Sequence, residues 1–306
     1  MDNNKRYIAR LVFQNRIYSS DGNEFEKLFT QIMQCCNPNF QQVKPQGKYG
    51  DRKNDGFDKT TGTYYQVYAP EDIRKTENET INKLVTDFNG LHSYWQKITP
   101  IKRFYYVTND KYKGVYPSLH TELQNIRNLH TDIDVVDIIL SKNLEDIFLS
   151  LNETAMNDII GIIPTYDNIE VEYGIMNDVI NYLLKVKTHP QQEIIPINPN
   201  FENKIVFNDL SEIVAIYLKS HRINEFAIND FFELNSDFTK NELRNVFSGL
   251  YGEALALYSE NENKSDMMFF YIREKSYPKH SIAIDATIFT LMTYYFEYCD
   301  IFEAPI

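Results

Sequence analysis

Residues 50–70, GDRKNDGFDKTTGTYYQVYAP, constrain the fold of this 306-residue chain more than any other stretch. Their first half is rich in Asp, Asn, Gly and Lys. Asn and Asp side chains bond their own backbone and Gly tolerates positive φ, so such a run closes a turn and stops any helix. TYYQVYA follows at once, with the aromatic and β-branched composition of a pleated, half-buried strand. A turn that feeds directly into an aromatic strand anchors a sheet, and the flanking sequence is read as what that sheet packs against.

Upstream, Phe25, Leu28, Phe29 and Ile32 recur at spacings of three and four, one face of an amphipathic helix starting near Asn23 with Asp21 as its N-cap. Pro38 ends it, FQQVKPQ reads as a short strand, and GKYGDRKNDG is the turn. Downstream, Glu71 to Ile98 carries Ile81, Leu84, Val85, Phe88, Leu91 and Trp95 with helical period. RFYYVTN (103–109) is a continuous apolar run of the kind that forms a strand covered on both faces. Tyr116 to His130 reads as a helix, IDVVDIIL (133–140) as a strand and Asn143 to Leu151 as a helix. Strands separated by helices predict an α/β sheet that is at least partly parallel.

Residues 152–187 are ambiguous, with one apolar run (IIGIIPT) and a helix at Ile175 to Val186, and are compatible with either neighbouring domain. Pro190, Pro196 and Pro199 disfavour helix at each preceding residue, so 188–199 reads as an extended linker. Helices follow at 210–220, 227–232, 240–258 and 281–299. The expected division is therefore an α/β domain over 1–150, a connector over 151–199, and a helical domain over 200–306. At roughly 100–200 residues per domain, the length agrees with that count.

Charge separates the two halves. Residues 1–150 hold 20 Lys and Arg against 19 Asp and Glu, while 151–306 hold 11 against 24, so +1 and −13 make up the net −12. A near-neutral first half leaves room for a local basic groove, and Lys44, Lys48, Arg52, Lys53 and Lys59 surround the Asp-rich turn. An acidic second half repels DNA and favours docking on protein. The first residues lack the apolar run of an export signal, and the apolar stretch 281–299 is interrupted by Asp285 and Glu297. Cys35, Cys36 and Cys299 form neither an even disulfide framework nor a CxxC pair, which fits the cytoplasm and no membrane contact. The six histidines make no HExxH motif, and there is no Walker-type or GxGxxG loop, so any nucleotide hydrolysis has to come from a partner.

The turn and strand offer a specific chemistry. Cleaving a phosphodiester takes a divalent cation on oxygen ligands, an activated water, and positive charge at the developing phosphorane. Asp55 can be the principal metal ligand and Gln66 an amide-oxygen ligand, with Glu26 on the first helix assisting. Strand alternation aims residues 66 and 68 the same way. Position 68 holds Tyr68, a phenol that is neutral near pH 7, so Lys53 or Lys48 from the turn would have to bring the charge. The plain structural alternative is a turn that is only a turn, with Glu26 a solvated helix residue and Gln66 a buried amide.

Phe25-Glu26, then Gly50-Asp51-x-x-x-Asp55-Gly56, then Gln66-Val67-Tyr68 resembles the restriction-endonuclease fold in its Mrr-like branch, over roughly residues 20–150. That resemblance implies a mixed sheet flanked by helices, Mg2+ or Mn2+ bound by Asp55, Gln66 and Glu26, and DNA as substrate. The branch has lysine where this chain has Tyr68. The departure leaves a nuclease with a displaced cation, or a nuclease-fold module that binds DNA or protein without cutting. YQVYAPE after the turn, together with YYFEYCDIFEAP at Tyr294 to Pro305, resembles the effector subunits of bacterial three-component ABC ATPase defence systems, including the Lamassu type. There the resemblance implies an acidic helical C-terminal domain that engages an SMC-like ABC ATPase and a small middle subunit. A homo-oligomeric effector is compatible with it.

Overall fold

The computed structural model describes residues 1–306 except 45–51, 72, 74–75, 165–169, 189–199, 236, 262, 299 and 306; the side chains of 237 and 238 are also outside the described set. Lys48, Gly50, Asp51 and nearly all of the expected Pro-rich linker therefore lie outside the described residues. The chain forms two compact units, Arg16–Ile159 and a second assembled from Met1–Asn15 with Ile160–Ile306.

The first unit is built on a five-stranded sheet of order β1-β2-β3-β4-β5. Its strands are β1 (Gln41–Gln42), β2 (Gly56–Asp58), β3 (Thr63–Val67), β4 (Arg103–Val107) and β5 (Val135–Ile139). β1 to β3 run antiparallel and β3 to β5 parallel, so the sheet is mixed. The parallel connections cross over through α3 (Glu77–Trp95) and α4 (Pro117–Leu129), as parallel pairing requires.

Register assigns the faces. Phe57 pairs with Tyr64, Tyr64 with Phe104 and Gln66 with Tyr106. Tyr64, Phe104, Tyr106 and Val136 make one cluster with Leu84, Phe88 and Leu91 of α3 and Leu119, Leu123 and Ile126 of α4. Tyr65 faces the other way and meets Phe29 of α2 (Gly22–Cys36) at 5.4 Å between ring centroids. α5 (Ser141–Ser150) is packed with α2, and α6 (Glu153–Ile160) closes the unit.

Asp21 has the extended backbone of an N-cap but makes no capping bond; its carboxylate pairs instead with Lys111 Nζ at 2.9 Å. The expected helix from Glu71 is shorter, starting at Glu77. Starting at the last residue of the expected turn, Gly56–Asp58 forms a strand that was not expected, because an antiparallel partner satisfies backbone groups that the local sequence leaves open.

The second unit is helical: α7 (Tyr173–Leu183), α8 (Phe201–Phe207), α9 (Glu212–His221), α10 (Glu225–Leu234), α11 (Asp237–Tyr258), α12 (Lys264–Ser276) and α13 (Ile282–Glu297). α1 (Asn3–Ser19) contributes its first part, where Tyr7 donates a hydrogen bond to Asp266 at 2.9 Å. α13 is buried from Asp285 to Phe296. The fully buried Lys204 lies at its C-terminal end, donating to the carbonyls of Phe296 at 2.6 Å and Ile301 at 2.8 Å. A cation there complements the helix dipole and closes otherwise unpaired carbonyls. Buried Arg273 grips Asp285 with two bonds, 3.0 and 2.8 Å. Among the described residues no helix is long and apolar enough to cross a membrane.

Candidate functional site

Pairing of β2 with β3 begins at Gly56 opposite Tyr65, and the Asp55 N–H donates to the Tyr65 carbonyl at 3.1 Å, so Asp55 sits just outside the strand at the end of β3 that carries Gln66. Asp55 and Gln66 are both buried, at 5% exposure each. Period-two alternation turns Gln66 to the same face as Tyr64 and Tyr106, which is the face covered by α3. The Asp55 carboxylate accepts a 2.6 Å hydrogen bond from the Val67 N–H, which ties it to the end of β3. Gln66 Nε2 makes one long bond to the Val67 carbonyl at 3.4 Å, whereas its Oε1 is buried with no hydrogen-bond partner among the described residues.

More unsatisfied polar atoms lie beside this pair. Among the described residues, fully buried Asn54 has no hydrogen-bond partner for either amide atom, and the Tyr106 hydroxyl has none either. Burial pushes the Tyr106 phenol far up, and the charges of Asp87, Tyr68 and Asp55 add to that shift. Native interiors satisfy nearly all buried polar groups, so several orphans around one carboxylate mark a place where a ligand would complete the bonding.

Positive charge reaches this face from two directions. Arg52 and Lys53 adopt consecutive left-handed conformations, φ 59° and 64°, each costing of order 1–3 kcal/mol for a non-glycine residue. Two contacts with α3 hold the strain. The Arg52 guanidinium lies 4.8 Å over the Tyr94 ring, and Lys53 Nζ pairs with Asp87 at 2.8 Å. The Lys53 stem runs across Gly90, where a Cβ would meet its Cγ at 3.0 Å. From α3 itself, Lys83 Nζ forms an ion pair with the second Asp87 oxygen at 2.8 Å and stands 5.3 Å from the centre of the Tyr68 ring. Tyr68 follows β3, and its phenol is pushed up by burial and by the carboxylates of Glu79 and Asp87, so it stays neutral.

Of the five residues singled out from sequence, Gln66, Tyr68 and Lys53 lie on the α3 side of the sheet, and Asp55 is tied to the end of β3 through the Val67 N–H. Glu26 is half-buried on α2, the helix whose Phe29 packs on the opposite face. Asn54, Tyr106, Lys83 and Asp87 were not anticipated. Lys83 and Asp87 carry a weak signal in their i,i+4 spacing, but nothing local tells a buried pair from a solvated one.

The fold and site define an α/β unit with a buried carboxylate–amide pair and adjacent lysines, joined to a helical unit. Residues 176–303, most of that helical unit, match the family described as C-terminal domain 10 of the ABC-three component (ABC-3C) systems. No curated protein and no solved structure matches the chain.

Proposed function

We propose that this chain is the effector subunit of an ABC-three-component anti-phage defence complex, and that its Arg16–Ile159 unit is a Mg2+- or Mn2+-dependent DNA endonuclease of restriction-endonuclease-like fold. The C-terminal match supports the first part. The acidic helical unit is the surface that engages an SMC-like ABC ATPase and a small middle subunit, which hold the nuclease in check.

The observation that carries the nuclease reading is Gln66 Oε1, buried and unpartnered beside the Asp55 carboxylate. An amide oxygen left without a donor costs about 1–3 kcal/mol, which a cation would offset. Among the described residues no three His, Cys, Asp or Glu side chains converge, so the donors in this reading are the Asp55 carboxylate and the Gln66 amide oxygen; Glu26, on the helix of the other face, could assist only through an intervening water. One or two carboxylates with several retained waters suit Mg2+. Bound there, a divalent cation polarises the phosphate and lowers the pKa of a water. Val67 N–H fixes the carboxylate orientation, and Lys53 and Tyr68 face the scissile phosphate.

The test is cleavage of plasmid and linear DNA by the purified full chain with Mg2+ or Mn2+, with and without its ATPase partner, against Asp55→Ala and Gln66→Ala. Metal-dependent cutting lost in both variants is expected. DNA bound but uncut under every condition would overturn the reading. One observation favours a second reading, a module that binds DNA or protein without cleaving: the neutral Tyr68 phenol at the position where the resembling branch has lysine. It predicts metal-independent DNA binding that weakens steeply with salt.

A further inference from the structure

We propose that Lys83 is a catalytic residue of this site, its ammonium held beside Tyr68 by Asp87 so that α3 supplies the positive charge that β3 lacks. The inference rests on the nuclease reading and names a residue which that reading does not contain.

Position comes first. Lys83 Nζ is 5.3 Å from the Tyr68 ring centre and 2.8 Å from Asp87. Tyr68 is one residue from Val67, whose N–H holds the Asp55 carboxylate. The ammonium thus lies next to the place that a lysine at 68 would fill, on the face to which Gln66 turns, with Asp55 held at the adjoining end of β3.

Charge comes second. Asp87 is 1% exposed and has an ammonium on each oxygen, Lys53 on Oδ1 and Lys83 on Oδ2. A single lysine neutralises a buried carboxylate. The second is more than the Asp87 carboxylate by itself requires. Glu79, one turn before Lys83, is exposed and acts through solvent. Lys83 keeps a side-chain exposure of 37%, enough to meet a phosphate oxygen, whereas Asp87 is sealed off. Asp87 is accordingly a positioning residue. In hydrolysis a water oxygen bonds to phosphorus and loses its proton to solvent while one P–O bond to deoxyribose breaks and the leaving oxygen takes up a proton. Lys83 opposes the negative charge that builds on the equatorial oxygens.

The experiment measures steady-state cleavage of supercoiled plasmid with Mg2+ by the full chain and by Lys83→Met, Lys83→Arg and the double variant Tyr68→Lys/Lys83→Met. Lys53 continues to pair Asp87 in each, so no buried carboxylate is left alone, and circular dichroism checks the fold. Lys83→Met is expected to lose about 100-fold in kcat with KM for DNA little changed, the size of effect seen when one positioned charge is removed. Lys83→Arg retains most activity, and Tyr68→Lys restores at least about tenfold to Lys83→Met, which a purely structural lysine would not allow. If Lys83→Met cuts at the wild-type rate while Asp55→Ala does not cut, the Lys83 proposal fails and the nuclease reading stands. If wild type is inert but Tyr68→Lys cuts, the α3 lysine does not supply the missing charge. If neither cuts, both fall.

Discussion

Replacing Gly56 by alanine tests the packing that sets Asp55 in place. A Cβ at Gly56 would lie 2.3 and 2.5 Å from two atoms of the Phe40 ring. Ordinary carbon contacts sit near 3.5–4.0 Å, so the ring has to move by about 1 Å. It has little room, being 7% exposed and hemmed by Phe29 at 6.0 Å and Tyr65 at 5.8 Å. Overpacking of this kind costs about 1–3 kcal/mol. The only tryptophan, Trp95, sits in the same unit, 5.2 Å from Phe57 and 5.9 Å from Tyr64, so its fluorescence reports unfolding of this sheet. With a urea slope of about 2 kcal/mol per molar, Gly56→Ala should lower the midpoint by about 0.5–1.5 M. Phe40→Ala alone should cost about 3–5 kcal/mol, and adding Gly56→Ala to it should cost almost nothing more, a coupling of about 1–3 kcal/mol. An unchanged midpoint in the single variant, or full additivity in the double, would refute the close approach.

Three further outcomes follow from the described contacts. Gly90→Ala should leave the sheet unit as stable or about 1 kcal/mol more so by helix propensity, yet slow DNA cleavage by pushing the Lys53 stem aside; a variant that gains stability with full activity removes Lys53 from the mechanism. Lys204→Met should cost the helical unit about 2–5 kcal/mol, since the carbonyls of Phe296 and Ile301 lose their donor, seen as a lower melting temperature by circular dichroism. Burial works to raise the Asp285 carboxyl, but hydrogen bonds from His280 and Arg273 and the Arg273 charge outweigh it and hold the group below the usual carboxylate range. That contribution is present above about pH 4 and lost as pH falls through the lower folded value, so acid melts should steepen there, and Arg273→Met should cost about 3–5 kcal/mol at pH 7.

The sheet was largely legible because its strands are strongly aromatic and its crossover helices strongly periodic. TYYQVYA, RFYYVTN and IDVVDIIL all form strands, and each runs a residue or more past the paired core. β2 was hidden because GFD has no strand composition and is paired only through its neighbour. α12 was hidden for the opposite reason: Met267 to Ile272 is buried on every side, so no amphipathic stripe betrays the helix. Of the site, Asp55 and Gln66 were visible through their order around a turn. Lys83 and Asp87 were not, since their meeting with Tyr68 depends on how α3 crosses the sheet.

Because Met1–Asn15 cluster with Ile160–Ile306, the sheet unit is an insertion within the helical one. In chain order the first half of α1 comes before the whole sheet unit, but its partners Asp266 and Met267 follow some 250 residues later. The sheet unit, continuous from Arg16 to Ile159, has all of its own sequence long before that and folds as a unit during translation. The sheet unit is thus complete in sequence while most of the helical unit is still to come. A fragment covering only the matched 176–303 would lack the helix that Tyr7 and Asn15 bring, so the leading fifteen residues belong in any expression of the helical unit by itself.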